Sequence, residues 1–186
     1  MKQFSAPVSR LFAECGRVMV ARSPEAEPDL TLALATASPD DLDVIDAIET
    51  AAFDRDRFPR RNLSRMLTGG RTRFLLARLG DAPAAYAAIS LKRGSRVARL
   101  YSLAVTPEAR GKGVAAALLE GAQHLGAEAG CTVLRLEVRA SNTAARGLYE
   151  RENFRLRGRR NAYYEDGEAA LLYERAISGT VKESAP

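Results

Sequence analysis

A short segment between an apolar run and a helical pattern carries residues suited to binding an anion. The apolar run over residues 100–105 breaks at Thr106-Pro107, and the tetrapeptide RGKG at residues 110–113 then leads into the helical pattern. Glycine lets the backbone approach a ligand closely, and the first N–H groups of a helix have no intrahelical acceptor and lie at its positive dipole end. The segment therefore predicts a phosphate site.

Two side chains farther along the chain could transfer protons. Glu137 lies near the C-terminal end of a predicted strand, the edge at which open α/β sheets bind their ligands. Tyr149 lies on the following predicted helix, and a tyrosine, with a reference pKa of about 10, stays protonated at neutral pH and can donate a proton. Each residue also has a structural interpretation: an ion pair of Glu137 with Arg135 or Arg139, and a half-buried aromatic ring at Tyr149.

The elements that must position these residues follow from hydrophobic periodicity and from turn signals. The spacings predict an antiparallel meander that feeds a βαβ unit, whose two strands should be parallel neighbours. We expect strands over residues 30–36, 73–79, 84–92, 96–105, 132–138, 154–164 and 169–176, and helices over residues 39–52, 60–67, 114–129 and 143–152.

Two motifs together resemble the GNAT superfamily of N-acetyltransferases. Residues 110–115 (RGKGVA) match its Arg/Gln-x-x-Gly-x-Gly/Ala signature, whereas the dinucleotide and P-loop signatures do not fit. The second element follows at the family's spacing: LEVRASN at residues 136–142, then Ala145, Leu148-Tyr149 and Asn153-Phe154. The run is most similar to the bacterial ribosomal-protein-alanine N-acetyltransferases. The resemblance implies an α/β (α+β) GNAT fold, with a mixed, mostly antiparallel sheet, a central parallel strand pair and flanking helices.

The resemblance also implies a donor, acetyl-coenzyme A, and a role for each site residue. Glu137 would be the general base and Tyr149 the general acid. Asn142, which its position alone predicts as a helix N-cap, would also bond the pantetheine arm. That arm would pair with the backbone of Leu103, Ala104 and Val105 as an added strand. The pyrophosphate would be held by the loop and the first helical turn: Arg110, Gly111, Lys112, Gly113, Val114, Ala115 and Ala116.

The acceptor is expected to be a protein or peptide N-terminal amine. In the resemblance, the first two helices and the strands near Tyr163 and Tyr164 would wall the acceptor cleft, and Asp54 or Asp56 could attract a charged terminus. Residues 53–59 (FDRDRFP) differ from the Trp-bearing loop of the ribosomal-protein enzymes. The alternatives are a small-molecule amine acetyltransferase and a non-catalytic acyl-coenzyme A sensor.

Composition bounds the remaining possibilities. The 186 residues, 46% hydrophobic, suit one globular domain, which we expect at residues 30–178. A loosely attached extension is expected at 1–29 and a tail at 179–186, and the protein is expected to be a monomer or homodimer.

Two cysteines without a zinc pattern indicate a reducing, cytoplasmic setting and no metal, and no apolar run is long enough to span a membrane. The net charge of +5 needs no nucleic-acid partner, since coenzyme A is itself a polyanion. The single histidine, His124, is predicted at the surface, which disfavours a His-dependent triad.

Overall fold

The computed structural model describes residues 19–21, 31–54 and 56–177. The tail predicted at 179–186, and the extension at 1–29 apart from its residues 19–21, lie outside these residues. The described chain forms eight strands: β1 (Met19–Ala21), β2 (Leu32–Thr36), β3 (Thr72–Leu79), β4 (Ala82–Leu91), β5 (Val97–Val105), β6 (Val133–Arg139), β7 (Arg155–Arg160) and β8 (Ala170–Ala176). It also forms four α-helices: α1 (Leu42–Ala52), α2 (Arg60–Thr68), α3 (Val114–Glu128) and α4 (Thr143–Arg151).

All eight strands belong to one sheet, in the order β1-β2-β3-β4-β5-β6-β8-β7. The pair β5–β6 is parallel and the other neighbouring strands are antiparallel. The mixed sheet with a central parallel pair is therefore confirmed. Its cause is the crossover through α3, which returns the chain to the edge where β5 began. No helix within the described ranges is both long and apolar enough to cross a membrane.

Two boundaries differ from the sequence prediction. The first helix is preceded by a 3₁₀ turn, Pro39–Asp41, which Ser38 and Asp41 cap reciprocally, so that the α-helix itself begins at Leu42. The strand predicted to run to residue 164 ends at Arg160, because Ala162 has a φ of 47°. A left-handed residue cannot continue a strand. Tyr163 and Tyr164 consequently lie in the β7–β8 connection.

The hydrophobic core is divided between the two faces of the sheet. Helices α3 and α4 cover one face, where Leu118, Leu134 and Tyr173 are buried. Helices α1 and α2 cover the other face over β3, β4 and the end of β5, where Ile45 and Phe74 are buried. The α1–α2 face of β6, β8 and β7 has no such helical cover in the core clusters.

The arginine-rich strand β7 lies at the edge of the sheet. Its four arginines are exposed: Arg155, Arg157, Arg159 and Arg160. Leu156, which alternates with them, is also 57% exposed. An edge strand with a bulge between Leu156 and Gly158 has fewer neighbours to bury its apolar side chains.

Replacing Gly126 by alanine tests how closely α3 packs on the sheet. An added Cβ would lie 2.6 Å from Ile177 Cδ1 and 3.3 Å from Ala98 Cβ. We expect overpacking to lower the free energy of unfolding by about 1–3 kcal/mol, although alanine is the better helix former by about 1 kcal/mol. Urea denaturation measures the change. Gly147→Ala on α4 is the matched control, because its Cβ would meet only the flexible end of Arg151. This substitution should raise the free energy of unfolding. If both substitutions raised it, the close packing of α3 on the sheet would be contradicted.

Candidate active site

The site begins where β5 and β6 separate. The two strands pair from Val97 and Val133 to Leu100 and Leu136 and no farther. Beyond that point β5 still pairs with β4, and β6 with β8. The facing edges of the two strands therefore have no strand partner among the described elements.

A β-bulge accompanies this separation. Ile89 of β4 pairs with Leu100 and Ala88 pairs with Ser102, so Tyr101 is an extra residue in β5. The bulge reverses the alternation: Leu100 faces the core under α3, whereas Ala104 faces the core under α1 and α2. Because bulges bend a strand and increase its twist, Tyr101 accounts for the divergence of β5 from β6. Leu103, Ala104 and Val105 lie on the open edge, where an extended group could add as a strand.

The predicted phosphate loop follows the open edge directly. Gly111 and Gly113 both have a φ of 77°, and a Cβ at either would point into open space. Gly113 is the N-cap of α3 and supplies no side-chain hydrogen bond, whereas Asn142 caps α4 through its side chain. The first-turn amides of α3, from Val114, Ala115 and Ala116, are thus left for a ligand. Two left-handed glycines before an uncapped 15-residue helix fit a pyrophosphate.

The two cations of the loop lie at the surface. Arg110 donates to the carbonyl oxygen of Ala52 at 3.4 Å, which links the loop to the end of α1. Lys112 is exposed beside the two glycines. Both can add positive charge to a site formed chiefly by backbone amides.

Glu137 faces the gap from β6. Its side chain is 12% exposed, and Arg99 of β5 donates to Oε1. The structural alternative for Glu137, an ion pair with Arg135 or Arg139, is not formed, because Arg99 reaches across from the neighbouring strand to take that place. No donor within the described chain bonds Oε2, which leaves one carboxylate oxygen available to a ligand.

Tyr149 lies on α4, on the α3–α4 side of the sheet. Its ring is 7% exposed and packs edge-on against Phe154, with the centroids 5.6 Å apart. Burial raises the pKa of Tyr149, and the nearby Tyr164 raises it further, so the phenol stays protonated at neutral pH. Tyr149 is thus a protonated phenol whose ring is held in place by packing.

Asn142 has the structural role predicted for it. Its Oδ1 accepts a hydrogen bond from the Ala145 N–H at 3.0 Å. The cap uses only the oxygen, so the side-chain NH₂ can still donate to a ligand.

The predicted acceptor residues lie at the end of β6. Arg139 is two residues beyond Glu137 on the same face, and its guanidinium contacts Asp56 of the α1–α2 connection. The guanidinium carbon lies 4.0 Å from the ring centroid of Tyr164, whose pKa burial raises to about 12. Tyr163 packs edge-on against Tyr164 and is 43% exposed. Asp56 is therefore paired with Arg139 instead of being free to attract a charged terminus.

Sequence reasoning missed a buried carboxylate on α1. Glu49 is completely buried; it accepts hydrogen bonds from the Phe58 N–H at 2.7 Å and from the Tyr86 hydroxyl at 2.6 Å. The Tyr86 oxygen also lies 3.1 Å from Ser102 Oγ. Glu49 thus connects the α1–α2 connection to β4 and β5. The only sequence signal was a carboxylate one position after the buried Ile48.

Replacing Glu49 by glutamine tests the cost of this buried charge. Burial raises the pKa of Glu49 above its ordinary value of 4.5, despite the hydrogen bonds that oppose the shift. The folded protein therefore holds this proton to a higher pH than the unfolded chain does, so the contribution of Glu49 to stability falls as pH rises from about 4.5 through the folded pKa. Glutamine does not titrate.

We expect wild type to lose stability relative to Glu49→Gln as pH increases. Unfolding free energies measured at intervals between about pH 4 and pH 8 check this trend. A difference between the two proteins that stays constant over that range would contradict a raised pKa at Glu49.

A basic cavity lies at the opposite end of β5. It measures about 490 Å³ and is lined by Gly70, Arg71, Leu91, Lys92 and Arg93. The nine residues of β5, about 30 Å of strand, run from this end toward the phosphate loop. The cavity is thus distinct from the gap that contains Glu137.

Comparisons with known proteins identify the family of the chain. The sequence profile of the Acetyltransferase (GNAT) family matches residues 42–154. An uncharacterized N-acetyltransferase from Methanocaldococcus jannaschii is 35% identical over 133 residues, 71% of this chain and 83% of that protein. An N-alpha-acetyltransferase from Saccharolobus solfataricus is 39% identical over 83 residues, 44% of this chain and 50% of that protein. The crystal structure of the ribosomal-protein-S18-alanine N-acetyltransferase from Escherichia coli superposes with a TM-score of 0.71 at 28% identity, over 83% of this chain and 99% of that one.

Proposed function

The chain belongs to the acetyltransferase (GNAT) family and is an N-acetyltransferase, and on that premise we propose that it transfers the acetyl group of acetyl-coenzyme A to a protein or peptide N-terminal α-amine. One observation carries the proposal. The open edge of β5, the uncapped start of α3 and the free oxygen of Glu137 all border the gap between β5 and β6. An extended thioester and an amine could therefore meet there.

Donor binding would use groups that the fold leaves unpaired. The backbone of Leu103, Ala104 and Val105 would pair with the pantetheine arm, and the side-chain NH₂ of Asn142 would donate to it. The amides from Gly111 to Ala116, supported by Arg110 and Lys112, would hold the pyrophosphate. Acetyl-coenzyme A supplies an acyl group activated as a thioester.

Two protons must move during transfer. As the carbon–nitrogen bond forms, the free oxygen of Glu137 takes a proton from the amine, directly or through water. As the carbon–sulfur bond breaks, the Tyr149 hydroxyl gives its proton to the sulfur. A buried tyrosine suits this role, because packing fixes the position of the phenol and burial keeps it protonated.

Proton energetics favour an α-amine over a lysine side chain. Their reference pKa values are about 7.8 and 10.4, a difference of roughly 3.5 kcal/mol in the cost of deprotonation. A single carboxylate such as Glu137 can therefore assist the deprotonation of an α-amine more readily than that of a lysine side chain. The likeness to the E. coli enzyme, whose named substrate is the alanine of a ribosomal protein, supports a small first residue.

Conservative substitutions test the two proton-transfer roles. Tyr149→Phe removes one hydroxyl and should lower kcat by roughly 10²- to 10⁴-fold, the range for one acid–base group. Glu137→Gln should also lower kcat, and less so at high pH, where the amine is already neutral. Thiol release measures kcat, and calorimetry should find donor affinity nearly unchanged in both variants. Wild-type turnover in both would return Glu137 and Tyr149 to purely structural roles.

Peptides test the acceptor. We expect acetylation of an Ala-initiated peptide at its N-terminus and none at a single internal lysine, with mass spectrometry locating the acetyl group. The same peptide with a blocked N-terminus is the control. Modification confined to lysine would overturn the α-amine proposal, and modification seen only on small polyamines would favour the small-molecule alternative.

A further inference from the structure

Arg139 joins two segments that are far apart in sequence. Its guanidinium donates to both oxygens of Asp56, in the α1–α2 connection, with Nη2 2.7 Å from Oδ1. Nη1 donates to Asp166 Oδ2 and to Glu168 Oε2, both at 2.8 Å, in the β7–β8 connection. We call these four residues, Arg139, Asp56, Asp166 and Glu168, the Arg139 cluster. It links connections separated by about 110 residues of chain.

The cluster lies next to the proposed base. Arg139 and Glu137 point to the same face of β6, two residues or about 7 Å apart. The face of β6 at this point is not covered by α1 or α2. The two connections joined by Arg139 therefore form the walls beside Glu137, where an acceptor amine would have to enter.

Both walls have backbone that needs support. Asp56 has a φ of 60° and Ala162, in the β7–β8 connection, has a φ of 47°. Left-handed residues other than glycine are unfavourable unless surrounding contacts hold them. Among the described residues, the Asp56 side chain bonds only the Arg139 nitrogens, so this contact holds the wall where its backbone is least favourable.

The charges show why Arg139 matters more than any one of its partners. Three carboxylates converge on a single guanidinium that is only 17% exposed, so the cluster has an excess of two negative charges. The planar fork of arginine can bond several carboxylates at once, whereas a lysine ammonium cannot match this geometry. Without Arg139 the carboxylate of one wall would repel the two of the other.

We propose that Arg139 is a positioning residue that sets the separation of the two acceptor walls, and so controls binding of the acceptor but not of the donor. The inference rests on the proposed function. Arg135 provides a matched control, because it lies on the same face of β6, pairs with Glu174 at 3.0 Å, and bonds no described residue of either connection.

The first test does not require turnover. Hydrogen exchange in Arg139→Gln should be faster than in wild type at Phe58, whose amide donates to Glu49 of α1, and at Tyr163 and Tyr164, whose amides donate to the Glu168 carbonyl oxygen. Arg135→Gln should leave these amides unchanged. Equal protection of the three amides in wild type and Arg139→Gln would overturn the proposal, whether or not the enzyme acetylates peptides.

The second test uses kinetics with the Ala-initiated peptide. We expect Arg139→Gln to raise the acceptor KM by about tenfold, a usual size for coupling between contacting charges, with the donor dissociation constant unchanged. Arg139→Lys should recover part of the loss. Asp56→Asn keeps a residue that tolerates a left-handed backbone and should raise KM less. The double variant Asp56→Asn/Arg139→Gln should bind acceptor better than Arg139→Gln alone, because a repelling charge has been removed.

The outcomes separate the two proposals. If the wild-type protein does not acetylate the peptide, the proposed function is rejected. The hydrogen-exchange comparison of Arg139→Gln with wild type still tests the positioning role, because it needs no turnover. An active wild type with an unchanged acceptor KM in Arg139→Gln would reject the positioning role, as would equal losses of donor and acceptor affinity. If Arg139→Gln does not fold, the acceptor KM of the Asp56→Asn variant tests the positioning role in its place. An unchanged acceptor KM in that folded variant would overturn the inference.

Discussion

The early end of pairing between β5 and β6 is the constraint on which the site depends. Parallel strands would continue to pair if β5 remained regular, and the gap beside Glu137 would close. The extra residue Tyr101 prevents this, because it bends β5 and reverses the faces of Ser102 to Val105. The same reversal buries Ala104 under α1 and α2. One inserted residue thus both opens an edge for a ligand and preserves the core on each side.

Charge pairing organises the gap once it is open. Arg99 crosses from β5 to hold one oxygen of Glu137, and Arg139 joins the connections on either side. Farther from solvent, Glu49 accepts from Phe58 and Tyr86 and ties the α1–α2 connection to the sheet. These interactions each join segments distant in sequence. They give flexible connections a fixed geometry near the reacting groups, which is what catalysis by positioning requires.

Local patterns were sufficient to predict most elements and the glycine loop before α3, because glycine spacing and hydrophobic periodicity act within a few residues. The alignment of β5 with β6 is a tertiary property, and for this reason the structural alternative for Glu137 named arginines of its own strand and not Arg99. The bulge at Tyr101 leaves no mark in an apolar run such as LYSLAV. The end of β7 at Arg160 depends on the left-handed Ala162, a residue type that gives no warning of it.

The central claim is that the gap between β5 and β6 and the start of α3 form the donor site. Backbone amide NMR spectra recorded during an acetyl-coenzyme A titration measure this most directly. The account predicts the largest shift changes at residues 103–105 and 111–116, with little change at Gly70, Arg71, Lys92 and Arg93, which line the basic cavity. Changes concentrated at that cavity, with residues 103–105 and 111–116 unaffected, would contradict it.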